Sequence, residues 1–174
     1  MATDSNSKPA TLQPLPPPRL NVTQMLRQAT RLSQVRTELV EAYRVALRRW
    51  MGDPAPMALG LPFVSEGYRS PAAQDELYTH GRSAPGPVVI YKRGGESKHN
   101  LLPSRALDVA FLLPDGEVSW SGLLLSNFAR LMKAADARVH WGGDWPGFKD
   151  RPYFEVKGGN ETSGPDGPLV SFPP

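Results

Sequence analysis

The sequence predicts an α+β domain: a small, mostly antiparallel sheet with packed helices, an added N-terminal helix and proline-rich arms. Three features carry that prediction. Apolar residues recur at three- and four-residue steps over residues 22–50 and again over 123–137, which is the helical period. Short apolar runs at residues 61–64, 106–113, 139–141 and 153–156 are punctuated by glycine and proline, as strands are. Proline makes up 19 of 174 residues, about twice the usual share of roughly 5%, and gathers towards the two ends.

Residues 1–20 contain Pro14, Pro16, Pro17 and Pro18, which lack a donor and fix φ, so this stretch is expected to be an extended arm. Over residues 21–52 the set Met25, Leu26, Ala29, Leu32, Val35, Leu39, Tyr43, Leu47 and Trp50 predicts one long helix or two in succession. Gly52, Asp53, Pro54 and Pro56 are expected to end it. The main domain then runs over 53–157, beginning with a short buried strand at 61–64. Ser70 followed by Pro71 reads as a helix start, with a capping hydroxyl before a proline at the first helical position. That helix should stop by Gly81. Residues 81–96 are rich in glycine and proline and predict an irregular loop with at most a short strand at 88–90. A strand over 106–113, a turn at Pro114, Asp115 and Gly116, a helix over 123–137, and two short strands flanking a Gly-Gly-Asp loop complete the domain. Residues 158–174 have no periodicity and are expected to form a second arm.

Composition narrows the chemistry. The chain has no cysteine, so any metal must be held by His, Asp, Glu or Tyr. A net charge of +3 with a pI near 9.3 suits an anionic polymer without selecting one. Arg27, Arg31, Arg36, Arg44, Arg48 and Arg49 are scattered along one segment and do not form a basic stripe with interleaved aromatics, so no nucleic-acid partner is expected. No segment reaches the roughly 18 apolar residues of a membrane span, and residues 1–10 lack the charged start and apolar run of a secretory signal. The expectation is a protein made in the cytoplasm, which reaches an outside target only on release or as part of a particle.

Only His80, His99 and His140 are available as imidazoles. His99 precedes a proline-containing turn and a strand in which Asp108 stands among Leu107, Val109, Ala110 and Phe111. A carboxylate there needs a partner, because burying it alone costs several kcal/mol. Zinc, which takes imidazole nitrogen and carboxylate oxygen, is one candidate; an arginine or a backbone amide is the other.

Several ordered blocks add to this reading: Gly67-Tyr68-Arg69-Ser70 with Gln74, Leu77 and Tyr78; Gly81-Arg82 with Pro85-Gly86; Ser97-Lys98-His99-Asn100; Ala106-Leu107-Asp108; Trp141-Gly142-Gly143-Asp144-Trp145; and Asp150-Arg151-Pro152-Tyr153-Phe154-Glu155. Together they resemble the zinc-dependent D-alanyl-D-alanine carboxypeptidase and L-alanyl-D-glutamate endopeptidase family, in particular its phage-endolysin branch. The resemblance implies that His99 and Asp108 bind zinc, that Asp150 is the general base, and that Arg69 stabilises the oxyanion. It also implies Gln74, Ser97 and Trp141 as substrate contacts. The expected activity is hydrolysis of the stem peptide of bacterial peptidoglycan, as in endolysin-type cell-wall degradation.

This sequence departs from the family pattern in two places. The gap from His99 to Asp108 is about two residues longer, with Pro103 and Ser104 expected to return the strand to the same place. More consequentially, Tyr153 stands where the family's third zinc ligand, a histidine, is expected. A phenol with a pKa near 10 is a poor ligand at neutral pH. Tyrosinate ligation, recruitment of His140 or His80, and a metal-free domain all remain open. The last of these would make the chain a pseudoenzyme, serving as a wall-binding protein or a structural subunit of a bacteriophage virion or tail-like particle.

Overall fold

The computed structural model describes residues 15–157. The predicted tail over 158–174, and all but the last few residues of the predicted arm over 1–20, lie outside the described residues. Two helices come first, α1 (Val22–Ser33) and α2 (Thr37–Met51), so the long apolar periodicity divides into two. Asn21 caps α1 by accepting from Gln24 N, while the Gln24 side chain accepts from Asn21 N at 2.8 Å, satisfying two otherwise orphaned donors.

The proline-rich stretch after Gly52 was expected only to end a helix. It forms a further short one, α3 (Pro54–Leu59), because Asp53 accepts from Ala55 N and Pro54 sits at a position whose missing N–H costs nothing. Strand β1 (Leu61–Glu66) follows, then α4 (Pro71–Thr79), whose Ser70 cap accepts from Ala73 N as predicted. Residues 88–90 form no strand. The segment instead lies against α4, where Gly94 N donates to Asp75 at 2.8 Å and a Cβ at Gly94 would collide with the Pro71 carbonyl. The remaining elements are β2 (Ala106–Leu112), a two-residue β3 (Val118–Ser119) that periodicity did not reveal, α5 (Gly122–Ala135), β4 (Val139–Trp141) and β5 (Tyr153–Val156).

All strand pairs are antiparallel, in the order β1-β2-β5-β4, with β3 beside the far end of β2. This is the α+β architecture the sequence predicts. Alternation along β2 divides its residues between two environments. Leu107, Val109 and Phe111 enter the main core with Phe154, Val156, Leu39, Tyr43, Trp50 and, from α5, Leu125, Phe128 and Met132. Phe128 is its hub, with edge-on contacts to Tyr43, Trp50, Phe111 and Phe154 at centroid distances of 5.9 to 6.4 Å. Ala106 and Asp108 alternate with these residues and face the other way.

α1 has no fully buried residue; Leu32 packs against the main core, and polar contacts tie the helix to the sheet. Gln28 Oε1 accepts from Val64 N at 2.9 Å and from the Tyr43 hydroxyl at 3.1 Å, and Arg31 donates to Val64 O at 3.0 Å. Among the described residues no helix is long and apolar enough to cross a membrane.

Candidate functional site

Sheet register assembles the site. Glu66 on β1, Asp108 on β2 and Tyr153 on β5 are opposite one another, and in the next row Ala106, Glu155 and His140 align across β2, β5 and β4. Directly opposed residues share a face, so both rows line the side of the sheet away from the core. β1 is irregular between Val64 and Glu66, a bulge that re-aims the chain as it leaves the sheet. The turn that follows cradles His99: Gly67 O lies 2.6 Å from His99 Nδ1, and Arg69 N donates to His99 O at 2.9 Å. A carbonyl can only accept, so Nδ1 carries the proton, and in the neutral ring Nε2 presents its lone pair.

His99 lies in a single 3₁₀ turn, Lys98–Asn100, capped by Ser97, whose hydroxyl accepts from His99 N at 3.3 Å. The longer loop to Asp108 leaves Leu101 and Leu102 exposed and is pinned at buried Ser104. Ser104 N donates to Gln34 O at 2.7 Å and Arg36 N to Ser104 O at 2.8 Å, so the junction of α1 and α2 holds the loop in register.

Six buried side-chain atoms among the described residues have no hydrogen-bond partner: His99 Nε2, Asp108 Oδ1, Asp150 Oδ2 and Arg69 Nε, with Glu155 Oε1 and Trp145 Nε1 around Tyr153. Such groups are costly unless a ligand or ion completes them. His99 Nε2 and Asp108 Oδ1 face one another at 3.4 Å without hydrogen-bond alignment. Tetrahedral zinc with bonds of about 2.0–2.1 Å holds its ligand atoms roughly 3.3–3.4 Å apart, so this pair fits the metal.

Asp150 is held well above the ordinary carboxylate range, first by burial and then by the charge of Asp108, with Arg69 opposing. Two carboxylates close enough for one's charge to raise the other's pKa favour a proton or a cation beside them. Gly142 allows this approach: a Cβ there would collide with the Asp150 carbonyl, and Asp150 N donates to Gly142 O at 3.1 Å.

The third position does not complete the set. Tyr153 is fully buried, with its ring 5.5 Å from that of His99, and its hydroxyl donates to Glu155 Oε2 at 2.9 Å. Burial first, then the Glu155 charge, raises its pKa well above the usual phenol value. Among the described residues no three His, Cys, Asp or Glu side chains are grouped to hold a metal ion. His140 stands across from Glu155, its pKa lowered chiefly by burial, and His80 ends α4 in a bridge to Ala84. Neither joins His99 and Asp108 in such a group.

The three expected substrate contacts are placed differently. Ser97 caps the histidine turn. Gln74, 1% exposed, accepts from Arg69 and donates to Lys92 O. Trp141 belongs to the main core, and its indole donates to Arg151 O at 2.6 Å. Trp145 is the tryptophan beside Tyr153, at 5.1 Å between centroids. Two residues outside the expected set also reach the site. Glu66 lies 3.4 Å from Arg69, and Lys98 pairs with fully buried Glu155 at 3.0 Å. Lys98 adjoins His99 in sequence, but nothing in the sequence signals a partner 57 positions away.

An imidazole–carboxylate pair, a second carboxylate and a guanidinium thus gather at one side of the sheet. Comparison with known proteins shows what the chain is similar to. No protein-family model matches the chain. It is 39% identical over 100 residues to the peptidoglycan L-alanyl-D-glutamate endopeptidase CwlK of Bacillus subtilis (strain 168), a match covering 53% of this chain and 59% of that protein. The crystal structure of the L-Ala D-Glu endopeptidase ChiX of Serratia marcescens matches with a TM-score of 0.55 and 29% identity, over 75% of this chain and 86% of that chain. In sequence and in fold, then, the chain is similar to L-alanyl-D-glutamate endopeptidases. The match spans somewhat over half the length of CwlK.

Proposed function

We propose that this domain hydrolyses an amide bond in the stem peptide of bacterial peptidoglycan, of the L-alanyl-D-glutamate type. The observation that carries the proposal is the convergence of four buried, unpartnered polar atoms, on His99, Asp108, Asp150 and Arg69, at one sheet face. In this reading Asp150 takes a proton from the attacking water as the water oxygen bonds to the carbonyl carbon. The guanidinium of Arg69 meets the negative charge that develops on the carbonyl oxygen. Asp150 then returns the proton to the departing amine as the carbon–nitrogen bond breaks. His99 Nε2 and Asp108 would hold a zinc ion, whose chemistry when bound is to polarise the carbonyl and make the water acidic near neutral pH.

Tyr153 stands in the proposed third ligand position. With its hydroxyl committed to Glu155, it leaves zinc two strong protein ligands instead of three. That commitment favours one other reading, a metal-deficient relative acting as a wall-binding or particle subunit. Zinc content of protein purified without chelator, measured beside hydrolysis of purified peptidoglycan and beside Tyr153→His, separates the two. The peptidase reading expects zinc bound weakly enough for a chelator to remove it, hydrolysis that follows zinc occupancy, and tighter zinc in Tyr153→His. No zinc and no hydrolysis in the unmodified protein, with both appearing in Tyr153→His, would establish the metal-deficient reading.

A further inference from the structure

Gln74 lies in α4, and its side chain is 1% exposed, yet neither end of its amide is idle. Oε1 accepts from Arg69 Nη1 at 2.9 Å, and Nε2 donates to the Lys92 carbonyl at 3.0 Å. Chemistry fixes the orientation of the amide: guanidinium only donates and a carbonyl only accepts, so a flipped amide would face a like group at both ends. Glutamine is the side chain of this length that satisfies both partners at once. The backbone of Arg69 is held from the same side, since its carbonyl accepts from Asn100 Nδ2 at 2.8 Å and Asn100 Oδ1 accepts from Gly95 N and Ser97 N. The guanidinium is thereby aimed with Nη1 on Gln74, Nη2 towards Glu66 at 3.4 Å, and Nε buried without a partner.

We infer that Gln74 is a positioning residue: it ties the Arg69 guanidinium to the backbone of the irregular segment at Lys92, so that this segment sets the direction in which Arg69 offers its charge. The inference rests on the proposed role of Arg69 and replaces substrate contact as the reason for Gln74. A preorganised donor contributes because it need not reorient as charge develops. Loosening it therefore lowers turnover and leaves substrate binding nearly unchanged.

The test is a mutant cycle on the full chain with a stem-peptide substrate, joined to arginine side-chain NMR. Gln74→Leu is expected to lower kcat about tenfold or more, less than the roughly 10²–10³ lost with an oxyanion donor itself. KM and the melting temperature should stay close to those of the parent. In an Arg69→Lys background the same substitution should have little further effect. Gln74→Glu, which keeps the acceptor for Arg69 but loses the donor to Lys92, should also lower kcat. By NMR, Arg69 should give separate Nη proton signals in the parent, from hindered rotation, which merge in Gln74→Leu. A rise in KM alone, or an equal loss in the Arg69→Lys background, would overturn the inference in favour of direct substrate contact. Unchanged Arg69 signals in Gln74→Leu would also overturn it. If the parent hydrolyses no stem peptide, the proposed function fails while the NMR comparison still decides the positioning claim.

Discussion

At the scale of single residues, the site is a set of side chains whose polar atoms the protein buries without satisfying. His99, with Nδ1 on the Gly67 carbonyl, has one tautomer and one free lone pair, aimed at Asp108. Asp150 is buried beside Asp108 and opposed only by Arg69, so its raised pKa reports a deficit of positive charge. Asp150→Asn removes one of these two carboxylates. We expect hydrolysis to fall by about 10²–10⁴, the usual contribution of a positioned general base, with an unfolding midpoint equal to or above that of the parent. Peptide-release kinetics and thermal melting check the two halves. Tyr153 shows how little one atom needs to move: its hydroxyl stays on the site face, but as a donor to Glu155 and not as a lone pair aimed at a metal.

Elements position these residues through their ends. The bulge in β1 turns the chain so that Gly67 and Arg69 bracket His99, and the Ser97 cap orders the turn that carries the imidazole. α5 is terminated by a comparable device. Asp136 follows its last residue, accepts from Arg138 N at 2.9 Å and pairs with the Arg138 guanidinium at 2.6 Å. The Arg138 hydrogen bonds hold its pKa below the usual value. A carboxylate whose folded pKa is depressed stabilises the fold above its unfolded value, near 3.9, and loses that contribution as pH falls through the folded value. Asp136→Asn should therefore lower the urea midpoint at pH 7, with the difference from the parent shrinking progressively below about pH 4. The effect is modest because the pair is largely solvated. A difference that stayed constant down to pH 2 would rule out this electrostatic account.

Across the whole molecule, one core serves both the helices and the sheet. α2 and α5 close over one sheet face through Phe128, while the opposite face carries the site, so the strands transmit core order directly to Asp108 and Tyr153. Phe128→Ala is expected to cost about 3–5 kcal/mol, the range for a fully buried aromatic, measurable by urea unfolding. Because Phe128 touches Tyr43 and Trp50 on α2 as well as Phe111 and Phe154 on the sheet, a single cooperative transition should persist at the lower midpoint. The N-terminal helices also reach the site, since the α1–α2 junction at Gln34 and Arg36 pins Ser104 and with it the loop between His99 and Asp108.

The sequence by itself determined the fold class, the helix periods, the Ser70 cap and the strands over 61–64, 106–113, 139–141 and 153–156. Those features depend on local spacing and on residues with strong backbone preferences. It also identified His99 and Asp108 as residues to watch, because a lone carboxylate in an apolar run and a histidine before a turn are visible in one dimension, whereas Asp150 and Arg69 were singled out only through the resemblance of the ordered blocks to a known family. Local pattern did not reveal α3, whose prolines read as breakers although one fits a helix start, or β3, which is too short to show a period. Only the tertiary structure decided which tryptophan lies in the core and which beside Tyr153, and which acceptor the tyrosine hydroxyl takes. It likewise set Gln74 between Arg69 and Lys92, and Lys98 against Glu155. These are pairings between distant segments, and their geometry is fixed by strand register and burial, which a linear sequence does not display.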